Sequence, residues 1–169
     1  MIELEEESIR QWSLTLSDNL STKFKTNFNF KDFESEEIIY SEFLENNSAY
    51  FWTTLCEETE TKQNIIIPIS YSSIIASTNS FFSNTMETEL PEEDLKLSFS
   101  ETFFAQEISN EILTAFTDNG LTIQHLRNEP ELKLVHPFHE DESITTYSFK
   151  WYINEDSYGD LLLCHSHVL

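Results

Sequence analysis

Histidine and cysteine are the residue types of this chain that most often bind metal ions. The sequence reads His-Pro-Phe-His at 136–139 and Cys-His-Ser-His at 164–167. Both spacings could place imidazole and thiolate ligands around one ion. The second run belongs to a predicted strand, however, and alternation along a strand sends Cys164 and His165 to opposite faces. We therefore predict no metal site. The histidines are then ordinary strand-end residues: His136, His139, His165 and His167.

A second pair with chemical potential is Glu107 and Asn110, three residues apart in a segment of helical period. On a helix such residues project about 60° apart. Both side chains would lie beside the buried apolar stripe of that helix. They could therefore project together into a partner protein and position a water molecule. A solvated helix face is the alternative. The chain has no nucleotide-binding loop, nucleophile elbow or paired-cysteine motif, so we predict no cofactor.

The charge of the chain selects among classes of partner. The formal net charge is −22, from 31 acidic and 9 basic residues. Nucleic acids and anionic membranes bind concentrated cations, so both are disfavoured, whereas a basic protein would be attracted. The apolar runs are far shorter than the roughly 20 residues of a membrane span. Cys56 and Cys164 lie among apolar residues, as reduced thiols of cytoplasmic proteins do, although a disulfide between them is left open. We predict a cytoplasmic protein.

The spacing of apolar residues predicts three helices, over 5–25, 71–85 and 98–118. The first carries a stripe at steps of three or four residues: Ile9, Trp12, Leu16, Leu20 and Phe24. Asn119-Gly120 should end the third helix, because glycine readily takes the left-handed conformation found there. We expect a core that includes Trp12, Phe104, Ile108, Tyr147 and Phe149.

The remaining segments have the aromatic and β-branched composition of strands. Aromatic or alternating runs occur at Ile38–Tyr40, Ala49–Trp52, Asn64–Ile69, Leu121–Leu126, Leu132–Val135, Ser143–Ile153 and Asp160–Cys164, with a hairpin turn at Asn154–Gly159. These elements predict an α+β fold in which about three helices cover a mixed β-sheet. We divide the chain into an acidic lead-in at 1–11 and one domain at 12–169. Three aromatic-rich stretches could add an exposed docking patch to the core: 28–30, 50–52 and 150–152.

The order of these elements resembles the CheC-like domain that forms the middle of the flagellar motor switch protein FliM. Tyr40-Ser41-Glu42-Phe43-Leu44 is similar to the Tyr-x-Glu-Phe segment of that family. Gly159-Asp160-Leu161-Leu162-Leu163-Cys164 is similar to its strand with a Leu-Cys-Ile-Pro pattern. The resemblance spans Trp12 to Leu169 and implies a CheC-like fold.

The resemblance also implies a non-enzymatic scaffold in the cytoplasmic ring of a flagellar motor, involved in rotor assembly and chemotactic switching. FliG-like, FliN-like and CheY-like proteins would be its partners, at the cytoplasmic face of a membrane-embedded apparatus. The FliG-contacting Gly-Gly-Pro-Gly loop of the family would fall at Ser83, Asn84, Thr85 and Met86, where its sequence is absent. A component of a type III secretion sorting platform is equally consistent with the resemblance.

The enzymatic branch of the same superfamily, the CheC and CheX phosphatases, implies a different activity. These enzymes dephosphorylate CheY with a Glu and an Asn three residues apart on a helix, a spacing that Glu107 and Asn110 match. Phe103 stands where the phosphatase pattern has Asp or Ser, and Lys133 where it has Pro. Acidic residues on this face would also repel an aspartyl phosphate. We therefore expect no catalysis.

Overall fold

The computed structural model describes residues 4–47, 50–82, 96–134 and 136–166. The helices are α1 (Glu6–Phe24), α2 (Tyr40–Asn46), α3 (Tyr71–Phe82) and α4 (Phe99–Asp118), with a short 3-10 helix at Leu132–Leu134. The strands are β1 (Phe28–Ile39), β2 (Phe51–Glu58), β3 (Asn64–Ser70), β4 (Ile123–Glu129), β5 (Ser143–Ile153) and β6 (Asp156–Ser166). The predicted α+β class is confirmed.

The six strands form one sheet in the order β1-β5-β6-β3-β2-β4. All its pairings are antiparallel within the described residues, so the expectation of a mixed sheet is wrong in that respect. For two of these pairings the reason is local, since short turns join β2 to β3 and β5 to β6, and a tight turn can connect only antiparallel neighbours.

The two faces of the sheet carry cores of different size. Along β6, Leu161 and Leu163 enter the larger core, beneath α1, α3 and α4, while Leu162 and Cys164 enter a smaller one. Tyr40 and Phe43 of α2, with Leu132 of the 3-10 helix, cover the smaller core. The period of two along a strand therefore divides one apolar run between two faces.

The three predicted helices are present in the described residues. Each residue of the α1 stripe is buried, and Lys25 ends the helix with φ 52°. Asn119 caps α4, and Gly120 follows with φ 75°. All five predicted core residues are buried: Trp12, Phe104, Ile108, Tyr147 and Phe149.

Buried indole groups join the helices to one another and to the sheet. Trp12 of α1 donates from Nε1 to the carbonyl oxygen of Ile112 at 3.2 Å. Trp151 of β5 donates to Ser77 Oγ on α3 at 3.1 Å. Because a buried N–H without a partner is costly, these bonds fix the position of each helix as well as satisfying the indole.

Three local predictions differ from the structure. Tyr40 begins the short helix α2 instead of continuing a strand. The strand predicted at Leu132–Val135 is wrong: Leu132–Leu134 form a 3-10 helix, which buries Leu132 and follows Pro130, a residue without a backbone donor. The turn predicted at 154–159 is shorter in the structure. Ile153 pairs with Asp156, so the turn consists of Asn154 and Glu155 alone, and Asn154 has the positive φ that such a two-residue turn requires.

Both cysteines are free and buried on opposite faces of the sheet. Burial raises the pKa of Cys56 and of Cys164 to about 12 each. Both groups are therefore neutral thiols at physiological pH, and reactive thiolate chemistry is suppressed. No helix of the described residues is long and apolar enough to cross a membrane.

Candidate functional site

Helix α4 carries the candidate residues Glu107 and Asn110, and its own sequence fixes where it begins. Ser98 Oγ accepts a hydrogen bond from the Glu101 backbone N–H at 3.2 Å, and the Glu101 carboxylate accepts one from the Ser98 N–H at 2.7 Å. This reciprocal capping satisfies two of the amide groups that an α-helix leaves unpaired at its start. The buried face of the helix then determines which residues point outward.

Ser109 lies between the two candidates and sets the rotation of α4 against the sheet. Its Oγ donates to the Ala105 carbonyl at 3.0 Å, lies 2.8 Å from Thr54 Oγ1 and accepts from Trp52 Nε1 at 3.0 Å. A small hydroxyl thus joins α4 to β2 inside the core. Since Ser109 points inward, Asn110 is directed to the surface, where it is exposed.

Glu107 is already bound by a cation of the same chain. Lys23 Nζ on α1 lies 2.7 Å from Glu107 Oε2 and 3.1 Å from Glu111 Oε1. The hydrogen bond with Glu107 is the largest of the influences that raise the pKa of Lys23, and Glu111 adds to it against partial desolvation. The expected crowd of like charges is therefore partly neutralised, and the Glu107 carboxylate faces α1 and its lysine.

The outward face of α4 also carries two phenylalanines that precede the candidate pair. Phe99 is 90% exposed and Phe103 is 52% exposed. Phe103 stands one turn before Glu107, at the position where the phosphatase pattern has a polar residue. The face around Asn110 therefore combines an amide, an ion-paired carboxylate and exposed aromatic rings, which favours protein contact over water activation.

The end of α3 adds two more exposed rings beside the start of α4. Phe81 is 47% exposed and Phe82 is 59% exposed, and the Phe81 ring lies 5.9 Å from the Phe104 ring of α4. Both residues fall within the helix predicted over 71–85, but that prediction did not say whether they are buried or exposed. The sequence does contain a signal for Phe99 and Phe103. They are four residues apart, so they share one helix face, and each lies one position before the i, i+4 series that contains Phe104 and Ile108.

The other candidate residues are not brought together. His136 and His139 are exposed, Cys164 and His165 lie on opposite faces of β6, and His167 is outside the described residues. No group of three His, Cys, Asp or Glu side chains within the described ranges converges as metal ligands would. The proposed partner contact at Ser83, Asn84, Thr85 and Met86 also lies outside the described residues. In the three aromatic-rich stretches, most rings are buried or half-buried, and Tyr50 is exposed.

Neither the protein-family models nor the curated proteins include a match to this sequence. Solved structures do match. The FliM middle domain of Vibrio alginolyticus aligns with a TM-score of 0.79 at 11% identity, covering 94% of this chain and 90% of that one. A FliG–FliM complex from H. pylori aligns with a TM-score of 0.77 at 12% identity, covering 96% and 94%.

A chemotaxis protein is also similar, but less closely. CheX from Vibrio vulnificus aligns with a TM-score of 0.56 at 10% identity, covering 98% of this chain and 99% of that one. At such identities the likeness concerns the backbone alone. The chain therefore has the CheC-like fold, in the form found in FliM middle domains.

Proposed function

We propose that this chain is a non-enzymatic protein-interaction domain in the cytoplasmic ring of a flagellar motor switch. The observation that carries the proposal is the match to a FliM middle domain over nearly the full length of both chains. A partner resembling FliG is the first we propose, because one similar structure is a FliG–FliM complex. FliN-like and CheY-like partners, and a place at the cytoplasmic face of the motor, follow from the family resemblance.

The surface chemistry agrees with a docking role. A net charge of −22 attracts basic protein surfaces over long distances. The exposed rings at the end of α3 and the start of α4 provide apolar contact area. In the sequence, the end of α3 directly precedes residues 83–86, which we propose as a partner contact. Glu107 is held by Lys23 on α1, which disfavours the alternative of a CheC- or CheX-type phosphatase.

Copurification tests the proposal and separates the two kinds of ring. The chain, tagged and expressed in its source cells, is crosslinked and recovered, with an untagged strain as the control. We expect FliG-like and FliN-like proteins among the recovered partners. Recovery of secretion-ring proteins instead would assign the chain to a type III secretion sorting platform. Recovery of neither, with a small metabolite bound to the protein, would contradict both assignments.

A direct assay addresses the enzymatic alternative. We expect that the chain does not accelerate loss of label from phosphorylated CheY, because the Glu107 carboxylate is ion-paired and the adjoining helix face is aromatic. Radiolabelled CheY is incubated with the chain, with Asn110→Ala, and with Thr114→Ala as a control on the same exposed face. Acceleration that Asn110→Ala abolishes and Thr114→Ala preserves would show that the non-enzymatic assignment is wrong.

A further inference from the structure

We propose that a groove on the sheet face that holds the smaller core binds an extended basic segment of a partner protein, with lysine or arginine at alternate positions. This groove, the sheet groove, has a volume of about 690 Å³ and lies across β1, β5 and β6 beside α2. Its carboxylates belong to Glu34, Glu36 and Asp160. The inference rests on the proposed role as an interaction domain and adds to it the surface that is used and the chemistry of the partner.

A short side chain on the middle strand of the three explains the shape of the sheet groove. Ser148 lies on this face of β5, because its neighbours Tyr147 and Phe149 enter the larger core. In the register of the sheet, Ser148 lies between Glu34 of β1 and Leu162 of β6. The outer two strands are about 10 Å apart, whereas a helix with its side chains is about 10–12 Å across. An extended segment running along β5 therefore fits the sheet groove better than a helix does.

A bulge in β1 positions two of the carboxylates. Phe30 and Phe33 both pack against the larger core, although residues three apart on a regular strand face opposite sides. The extra residue of the bulge, where Asp32 has φ 56°, returns Phe33 to the face covered by the long helices. Glu34 and Glu36 consequently lie on the other face, where they line the sheet groove.

The sheet groove carries an excess of negative charge. Among the described residues that line it, Lys150 is the only cation, and its Nζ lies 2.8 Å from Asp160 Oδ1. This hydrogen bond is the largest of the influences that raise the pKa of Lys150, and the charge of Glu34 adds to it. Neither Glu34 nor Glu36 forms an ion pair within the described part of the chain. Two exposed carboxylates are therefore left for the cations of a partner.

Charge and spacing together determine which partner fits. Glu34 and Glu36 are two residues apart on a strand, so they repeat at about 7 Å along the sheet groove. Alternate side chains of an extended partner repeat at the same interval, and lysine or arginine at those positions can reach both carboxylates. Nucleic acid would bring phosphates of the same sign. A second copy of this chain would bring another net charge of −22, which opposes self-association here.

Fluorescence anisotropy with labelled synthetic peptides tests the inference. The probe alternates lysine with threonine over about nine residues, the length of a strand, and the reference has the same composition with its lysines adjacent. We expect the alternating probe to bind at least about threefold more tightly than the reference. Glu34→Gln/Glu36→Gln should weaken the binding of the probe by about fivefold to tenfold, because two ion pairs are lost. Glu60→Gln/Glu155→Gln removes the same charge at exposed turn positions outside the sheet groove and should weaken it by less than about twofold.

A neutral variant separates the shape of the sheet groove from its charge. Ser148→Gln places a longer side chain on the floor between β1 and β6, so the preference for the alternating probe should disappear. Circular dichroism checks that the variant is folded. If Ser148→Gln unfolds, the comparison of the two glutamate pairs decides the question.

Three results would contradict the sheet groove as a docking site. Equal binding of the two peptides, or equal weakening by the two glutamate pairs, would indicate general charge attraction. A dimer in sedimentation that Glu34→Gln/Glu36→Gln abolishes would assign the sheet groove to a second copy. If copurification recovers switch proteins equally with this variant, the proposed function stands and the sheet groove is wrong. If the peptide preference holds while no switch protein is recovered, the sheet groove stands and the proposed function is wrong.

Discussion

Replacing Trp12 with alanine is expected to lower the free energy of unfolding by about 3–5 kcal/mol. The indole is completely buried, stacks on Phe116 with ring centroids 5.0 Å apart, and donates to the Ile112 carbonyl. Truncation removes a stacked and hydrogen-bonded contact between α1 and α4 and leaves a cavity that the sheet beneath cannot fill. Since domains are stable by roughly 5–15 kcal/mol, this loss is a large part of the total.

Urea unfolding followed by far-ultraviolet circular dichroism measures the effect. The matched control is Leu14→Ala on the same helix, because Leu14 is exposed and should change stability by no more than about 0.5 kcal/mol. A loss below about 1 kcal/mol for Trp12→Ala would contradict the packing of α1 described here.

Replacing Gly159 with alanine is expected to cost about 3–5 kcal/mol, although only one methyl group is added. Gly159 has φ +152°, which L-residues rarely adopt. Its added Cβ would lie 2.4 Å from Ser73 Oγ, 2.6 Å from Ser72 Oγ and 2.9 Å from Ser70 Cβ. The start of α3 lies against β6 at this point, so strain and steric overlap act together.

The other glycine of the chain is a matched control. Gly120 also has a positive φ, of +75°, but no atom lies within 4 Å of the position that a Cβ would take. Gly120→Ala should therefore lose only the left-handed preference, about 1–2 kcal/mol. Thermal and urea unfolding of both variants compares the two sites. Equal losses would show that the close approach of β6 to α3 does not contribute.

The contacts of α4 bear on the role considered for Glu107 and Asn110. The spacing of Glu107 and Asn110 permits a phosphatase role. In the structure, however, Glu107 forms an ion pair with Lys23, and Asn110 is exposed on a helix face that also carries two exposed phenylalanines. The same helix face is therefore better suited to contact another protein.

Local periodicity was sufficient to predict the longest elements. The stripe from Ile9 to Phe24 predicted α1, and the alternation along Ser143–Ile153 predicted β5 with the same limits. These patterns work because the burial of one face recurs every 3.6 residues in a helix and every two residues in a strand. The chain order of such elements was also enough for the CheC-like resemblance, which the structural matches support.

Only the tertiary structure decided what depends on residues distant in sequence. Lys23 meets Glu107 and Glu111 because α1 packs against α4, and Trp52 meets Ser109 because α4 crosses β2. A 3-10 helix at Leu132–Leu134 likewise stands where a strand was predicted. Of its three residues, only Leu132 is buried in the smaller core. Pattern in the sequence specifies how each segment buries its own apolar face. The partner of an ion, an indole or an exposed ring is set by which segments lie next to each other after folding.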